Sequence, residues 1–192
     1  MDRELAIFWR ATDGKYMEAE KKYRKNSILR KVFNRVIHQL ARIMPGARSI
    51  RPFLHRLRGV SIGRNVFIAD DVYLENEYPE QIEIHDDAQI GIRSTVLAHN
   101  RGAGKVIIEK QAYIGPGCVI IASAGSTLTI GQGSVIGALS VISTSVPSFT
   151  FVRAAPPKVI AKVTTPLSAT ESYGEFIRGL EPIRDDNPES TG

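Results

Sequence analysis

Residues 108–123 read IEKQAYIGPGCVIIAS and divide into units of six, each led by isoleucine: Ile108-EKQAY, Ile114-GPGCV and Ile120-IAS. The same cut runs outward in both directions. Upstream it gives Ile62-GRNVF, Ile68-ADDVY and Leu74, then Ile84-HDDAQ, Ile90-GIRST and Val96-LAH. Downstream it gives Ile130-GQGSV, Ile136-GALSV and Ile142-STSVP. Glycine or alanine often follows the leader (Gly63, Ala69, Gly91, Gly115, Gly131, Gly137). The fifth place is small: Val66, Val72, Ala88, Ser94, Ala112, Cys118, Ser134 and Ser140. A period of two alone would describe an ordinary strand. A period of six with a bulky leader and a small fifth residue describes a strand that turns a corner at every unit. Leader and small residue point inward, and the glycine-type second residue is expected to supply the backbone freedom of the corner. Three units close a triangular coil, and coils stack by parallel pairing to bury one continuous core. The expected fold is an all-β solenoid of about four triangular coils. Cys118 falls on an inward place and reads as core filler.

The interruptions of the repeat carry the functional signal. Equivalent leaders Ile62, Ile84, Ile108 and Ile130 are 22, 24 and 22 residues apart, where three uninterrupted sixes give 18. The surplus falls each time in the third unit, at NEYPE (76–80), HNRGAGK (99–105) and SAGST (123–127). Loops inserted at one phase of a helical stack project from one edge, where a cleft can be built on a rigid scaffold. His99 stands at the root of the longest loop. Glu75, Asn76 and Glu77 stand one coil earlier at the same edge.

The chain of 192 residues carries a net charge of +5, but that charge is segregated. From Lys21 to Arg58 there are 12 Lys/Arg and no acid, whereas residues 59–192 hold 10 Lys/Arg against 15 Asp/Glu. The basic block is one helical stretch with apolar residues interleaved. That suits an anionic membrane surface at least as well as nucleic acid, and no nucleic-acid partner is expected. A lone cysteine excludes an internal disulfide framework and fits a reducing compartment. The N-terminus reads MDRELAIFWRATDGK, without the apolar run of a signal peptide, and no segment reaches a membrane span. The expected place is the cytoplasm, with peripheral contact at the inner face of the membrane through residues 21–58.

Asn26 to Ala47 reads as one helix. Leu29, Val32, Phe33, Val36, Leu40 and Ile43 recur at three and four, with Lys31, Arg35, His38 and Arg42 on another face. Asn26 or Ser27 would cap its start and Pro45-Gly46 would end it. The apolar stripe is expected to cover the open base of the solenoid; either that cap is its whole role, or the cations also anchor the helix to anionic lipid. Three regions follow: a basic helical extension (1–58), the coil domain (59–163), and a short helix with a flexible tail (164–192). The last helix is expected near Ser168 to Leu180.

These residues resemble the hexapeptide-repeat (left-handed parallel β-helix) acyltransferases, especially the sugar and surface-polysaccharide O-acetyltransferases. The likeness spans about residues 59–163 and rests on GVSIGRNVFIA, LAHN, AYIGPGCVI and VRAAPPKVIAK. It implies a left-handed stack and a homotrimer, with acetyl-CoA as acyl donor in the groove between neighbouring prisms. It implies no metal. By the resemblance His99 is the general base that takes a proton from an acceptor hydroxyl as that oxygen attacks the thioester. Glu75, Asn76, Glu77 and Asn100 would serve a carbohydrate acceptor, and one of the three residues at 75–77 would orient the imidazole. Tyr113 stands where the family often has tryptophan, and is assigned to acceptor or coenzyme. Gly115, Ala122, Ser123 and Gly137 would bond the pantetheine arm through the backbone. Arg153, Lys158 and Lys162, near the exit of the stack, would meet the coenzyme's phosphates.

Other readings share the scaffold. The acceptor could be an amino-sugar nitrogen or an antibiotic hydroxyl, and a β-helix can also be purely structural or regulatory. A γ-type carbonic anhydrase needs three zinc-binding histidines, and only His85 and His99 lie in the stack. RGAGK lacks the spacing and the Ser/Thr of a phosphate loop, with Val106 in that place.

Overall fold

The leaders stack as the repeat requires. The structure, a computed structural model, describes residues 28–100, 102, 104–156 and 159–183. Its first face holds β1 (Ser61–Ile62), β4 (Ile82–Ile84), β7 (Lys105–Ile108) and β10 (Thr127–Ile130), side by side in that order. The second holds β2 (Phe67–Ile68), β5 (Gln89–Ile90), β8 (Tyr113–Ile114), β11 (Val135–Ile136) and β13 (Phe151–Val152). The third holds β3 (Tyr73–Leu74), β6 (Thr95–Asn100), β9 (Val119–Ser123) and β12 (Val141–Ile142). Pairing is parallel throughout and sets leader over leader: Ile62, Ile84, Ile108 and Ile130 on the first face. Ile68, Ile90, Ile114 and Ile136 align on the second, and Leu74, Val96, Ile120 and Ile142 on the third. Leaders and small fifth residues together form a single buried core, to which each isoleucine contributes roughly 2 kcal/mol. Cys118 is buried there, its Sγ 3.1 Å from the carbonyl oxygen of Gly137, and burial pushes its thiol pKa up.

The corners are made differently from the expectation. Positive φ falls on the fourth place of the unit, at Asn65 (53°), Asp71, Asp87 (61°), Arg93 and Gln111, with Gly117 and Gly133 in the same place later. Asn and Asp tolerate this left-handed region better than other non-glycine residues. The second-place glycines do another job. A Cβ on Gly115 would lie 2.7 Å from the backbone nitrogen of Ala138 and 2.8 Å from the carbonyl of Ile136. Glycine there permits one coil to approach the next, not the turn itself.

All three excursions leave a third-face strand and return on a first-face strand, so they share one edge. Residues 75–81 include a single 3₁₀ turn at Pro79–Gln81. The segment after β6 closes through the Gly104 amide, which donates to the Ala98 carbonyl at 2.6 Å.

The expected helix is α1 (Ile28–Ile43), which stops before Pro45-Gly46; a further helix, α2 (Ile50–Arg58), follows it, so the basic block is two helices where one helical stretch was expected. Asn26 and Ser27 lie outside the described residues. The cap itself is the reverse of the expectation. On α1 the buried residues are Asn34, His38 and Ala41, while Leu29 (82% exposed), Val32, Phe33, Val36 and Ile43 (74%) face outward. On α2 Arg51, Pro52, His55 and Arg58 are buried, and Phe53 and Leu57 are exposed.

The reason lies in the first coil. Having no coil beneath it, it presents unpaired carbonyls, and arginine is a donor-only fork suited to them. Arg48 donates to the Asn65 carbonyl at 2.8 Å, and Arg56 to those of Ile62 (3.0 Å) and Gly63 (2.5 Å). Arg51 reaches the Ile68 carbonyl at 3.1 Å and pairs with Asp70, and Arg42 pairs with Asp71. Among the described cations of the basic block, Arg42, Arg48, Arg51 and Arg56 are thus engaged by the first coil, and Arg51 is buried against it.

A second compact unit begins at Ala155. It contains β14 (Ala161–Val163) antiparallel to β15 (Leu180–Pro182), and α3 (Tyr173–Arg178), shorter than the helix expected there. Ser172 caps α3 by accepting from the Glu175 amide at 3.2 Å.

The close approach of coils at Gly115 gives a direct check. Gly115→Val should lower stability by roughly 1–3 kcal/mol, because backbone atoms on the facing coil cannot move aside cheaply. Thermal unfolding followed by circular dichroism measures it. An unchanged midpoint would contradict the packing described.

Candidate active site

The site is built where the third face meets its excursions. β6 and β9 pair at Leu97 with Ile121 and again at Asn100 with Ser123, so Ala98 and His99 together oppose one residue, Ala122. This is a bulge, and a bulge re-aims the side chain it carries. One coil earlier, Glu75 follows the leader Leu74 and is fully buried. His99 Nδ1 is hydrogen-bonded to Glu75 Oε2, with the imidazole about one-third exposed and the carboxylate shielded. The Glu77 amide donates to Oε1 at 2.8 Å and the Ala98 amide to Oε2 at 3.2 Å. Tyr78 meets the imidazole edge-on, ring centroids 5.7 Å apart.

The chemistry follows from the donor rules. A carboxylate oxygen only accepts, so in the neutral ring the proton sits on Nδ1 and Nε2 carries the lone pair. Glu75 therefore fixes both the tautomer and the direction of the free nitrogen. Of the three candidates at 75–77 for orienting the ring, the structure sets Glu75 against it. Asn76 and the exposed Glu77 border a cleft of about 200 Å³ with Lys31, Val32 and Arg35 of α1.

Behind Glu75 lies a residue with no part in the sequence expectations. Arg58 is fully buried, and its Nη2 donates to the carbonyls of Leu74 (3.2 Å) and Glu75 (2.5 Å) and to Asn76 Oδ1 (3.2 Å). Its Nη1 lies 3.0 Å from His55 Nδ1. Burial pulls the guanidinium down to about 10, opposed by Tyr73 and Glu75. His38 packs edge-on to Tyr73 at 4.6 Å and is held down to about 3, first by burial, then by Arg58 and Arg42. Burial, with Arg58, also pulls His55 well below the ordinary range. Both rings are neutral. The signal that could have found this cluster is the polar stripe Arg51, His55, Arg58, whose spacing of four and three marks one helix face.

The other expected residues are spread. Asn100 pairs with Ser123 beside His99, and Ala122 is buried opposite it, so those three share the edge. Tyr113 is half-exposed on the second face, which does not meet that edge. Gly115 and Gly137 lie at the corner between second and third faces, and Arg153 follows β13 on the second. Within one chain none of these four is brought to His99. Lys162 is on β14 in the second unit, and Lys158 lies outside the described residues.

No family model matches the chain. It is 29% identical over 145 residues to YvoF of Bacillus subtilis strain 168, whose name assigns it provisionally to the acetyltransferases, covering 72% of this chain and 81% of that one. It is 30% identical over 132 residues to a serine acetyltransferase of Buchnera aphidicola subsp. Schizaphis graminum, covering 69% of this chain and 42% of that one. Among solved structures it is similar to a hexapeptide-repeat-containing acetyltransferase of Vibrio cholerae, complexed with acetyl coenzyme A. The TM-score is 0.52 at 20% identity, over 67% of this chain and 84% of that one. At that identity the likeness speaks for the fold alone.

Two outcomes are expected of the buried cluster. Arg58→Met strands buried carbonyls and should cost roughly 2–4 kcal/mol in urea unfolding, and Arg58→Lys, lacking the fork, should recover only part of it. Lys31→Met, on the exposed side of α1, should cost nothing measurable; equal effects at 31 and 58 would contradict the assignment.

The second outcome concerns pH. His38 and His55 stay neutral in the fold, whereas the unfolded chain takes up protons below about 6.5. Folding stability is therefore complete above that value and falls as pH drops, by up to about 1.4 kcal/mol per unit from His38 down to about 3, with His55 acting in the same direction. Melting temperatures at pH 7.5 and 5 should differ in the wild type and less in His38→Gln.

Proposed function

We propose, from the chain's likeness to acetyltransferases and its hexapeptide-repeat fold, that it is a hexapeptide-repeat acyltransferase and transfers an acetyl group from acetyl-CoA to a hydroxyl of a sugar or surface polysaccharide. The observation that carries this reading is the Glu75–His99 pair at the excursion edge. Nε2 takes the hydroxyl proton as the oxygen attacks the thioester carbonyl, and the imidazolium that forms is stabilised by Glu75. Collapse of the tetrahedral oxyanion breaks the carbon–sulfur bond, and the proton passes from Nε2 to the departing thiolate. No covalent enzyme intermediate is required. Asn76, Glu77 and Tyr78 offer polar groups and an aromatic face at the same edge, which suits a carbohydrate.

A homotrimer belongs to the same reading. Tyr113, Gly115, Gly137 and Arg153 lie away from their own His99, so any part they take at the coenzyme is played toward a neighbouring chain's histidine. Leu139, Val141, Phe149 and Phe151 are exposed apolar residues on the same prism, and burial between chains would remove them from water. The likeness to serine acetyltransferase supports one second acceptor, the hydroxyl of serine.

Release of free thiol from acetyl-CoA, measured with a panel of sugars, amino sugars and L-serine, separates these acceptors. His99→Ala should lower kcat by about 10²–10⁴-fold with the fold intact. Glu75→Gln should lower kcat more than it raises KM, because the amide cannot stabilise the imidazolium. Undiminished turnover in His99→Ala would remove the mechanism.

A further inference from the structure

The two helices are amphipathic the wrong way round for a chain in water alone. Their polar faces are consumed by the first coil, and their apolar faces point away from it. On α1, Ile28, Leu29, Val32, Phe33, Val36, Leu40 and Ile43 form a stripe at helical spacing, all exposed, and α2 adds Phe53 and Leu57. A contiguous exposed apolar face of this kind marks a docking surface.

Charge indicates what it meets. Residues 28–58 hold eight Lys/Arg and no acid. Arg42, Arg48, Arg51, Arg56 and Arg58 are engaged by the first coil. Lys31 and Arg35 form no ion pair among the described residues, and they flank Val32 at the border of the stripe. An apolar helix face edged by cations fits the interface of an anionic bilayer, and no helix among the described residues is long and apolar enough to cross one. The same face set against its own copy would bring like charges together.

We infer that the outward face of α1 and α2 lies on an anionic lipid surface, its apolar stripe among the acyl chains and Lys31 and Arg35 against lipid phosphates. The same two cations line the 200 Å³ cleft with Asn76 and Glu77, next in sequence to Glu75. A membrane so bound adjoins the candidate site, where an acceptor carried on a lipid would be presented. Binding itself does not depend on the acetyl transfer.

The test is flotation of the full-length chain with vesicles of phosphatidylcholine alone or mixed with phosphatidylglycerol, at physiological salt. The wild type should float with the mixed vesicles and at least tenfold less with the neutral ones. Val36→Asp with Leu40→Asp, both at exposed positions, should remove flotation while the circular dichroism stays unchanged. Lys31→Glu with Arg35→Glu should reduce it on mixed vesicles only. A wild type that stays at the bottom of both gradients overturns the inference. So does an aspartate pair that floats normally, or one whose sole effect is a lower particle mass by light scattering, which would assign the face to a second copy.

Discussion

A parallel coil can satisfy its backbone only against another coil. That pairing sets every leader above the last, so corners repeat in place and surplus residues can leave only where pairing is interrupted. It also demands glycine where backbone on the facing coil leaves no room for a Cβ, as at Gly115 against Ala138. And it leaves the first coil with carbonyls that nothing repetitive can reach.

The answer to those carbonyls shapes the rest of the molecule. Arginines supply the donors, so the helices must turn their polar faces inward and their apolar faces out. One of those arginines, Arg58, grips the carbonyls of Leu74 and Glu75 and thereby holds the backbone from which the Glu75 carboxylate rises. The carboxylate in turn orients His99 on the coil above. A cap at the end of the solenoid and an imidazole at its edge are parts of one hydrogen-bonded chain. Removing the helices would therefore disturb the imidazole as well as the stack.

Much of this was legible in the residues, because the repeat is a direct image of the coil. The leaders, the inward small residues and the shared edge of the three excursions were all given by spacing alone. The corner was misread: glycine at the second place suggested a special φ, while the structure puts that φ on the fourth place, at Asn65, Asp71, Asp87 and later Gly117 and Gly133, and uses second-place glycines such as Gly115 for close approach. The cap was misread because an apolar stripe is ordinarily a buried one. Here the buried surface available to α1 and α2 is a row of backbone carbonyls, not a hydrophobic floor, and hydropathy is silent about that. Arg58 was missed for the same reason. An arginine at the end of a basic run looks solvated until the carbonyls it meets are known, and the helical spacing of Arg51, His55 and Arg58 was the one sign of a buried polar face.

What remains is whether the imidazole faces a thioester. A crystal structure of the protein with bound coenzyme A addresses this directly. The chemistry predicts the coenzyme's sulfur within hydrogen-bond reach of His99 Nε2, with Nδ1 still on Glu75 and the pantetheine arm passing along the excursion edge. A coenzyme held at either of the other two edges, or an imidazole released from Glu75 and turned away from the sulfur, would contradict it.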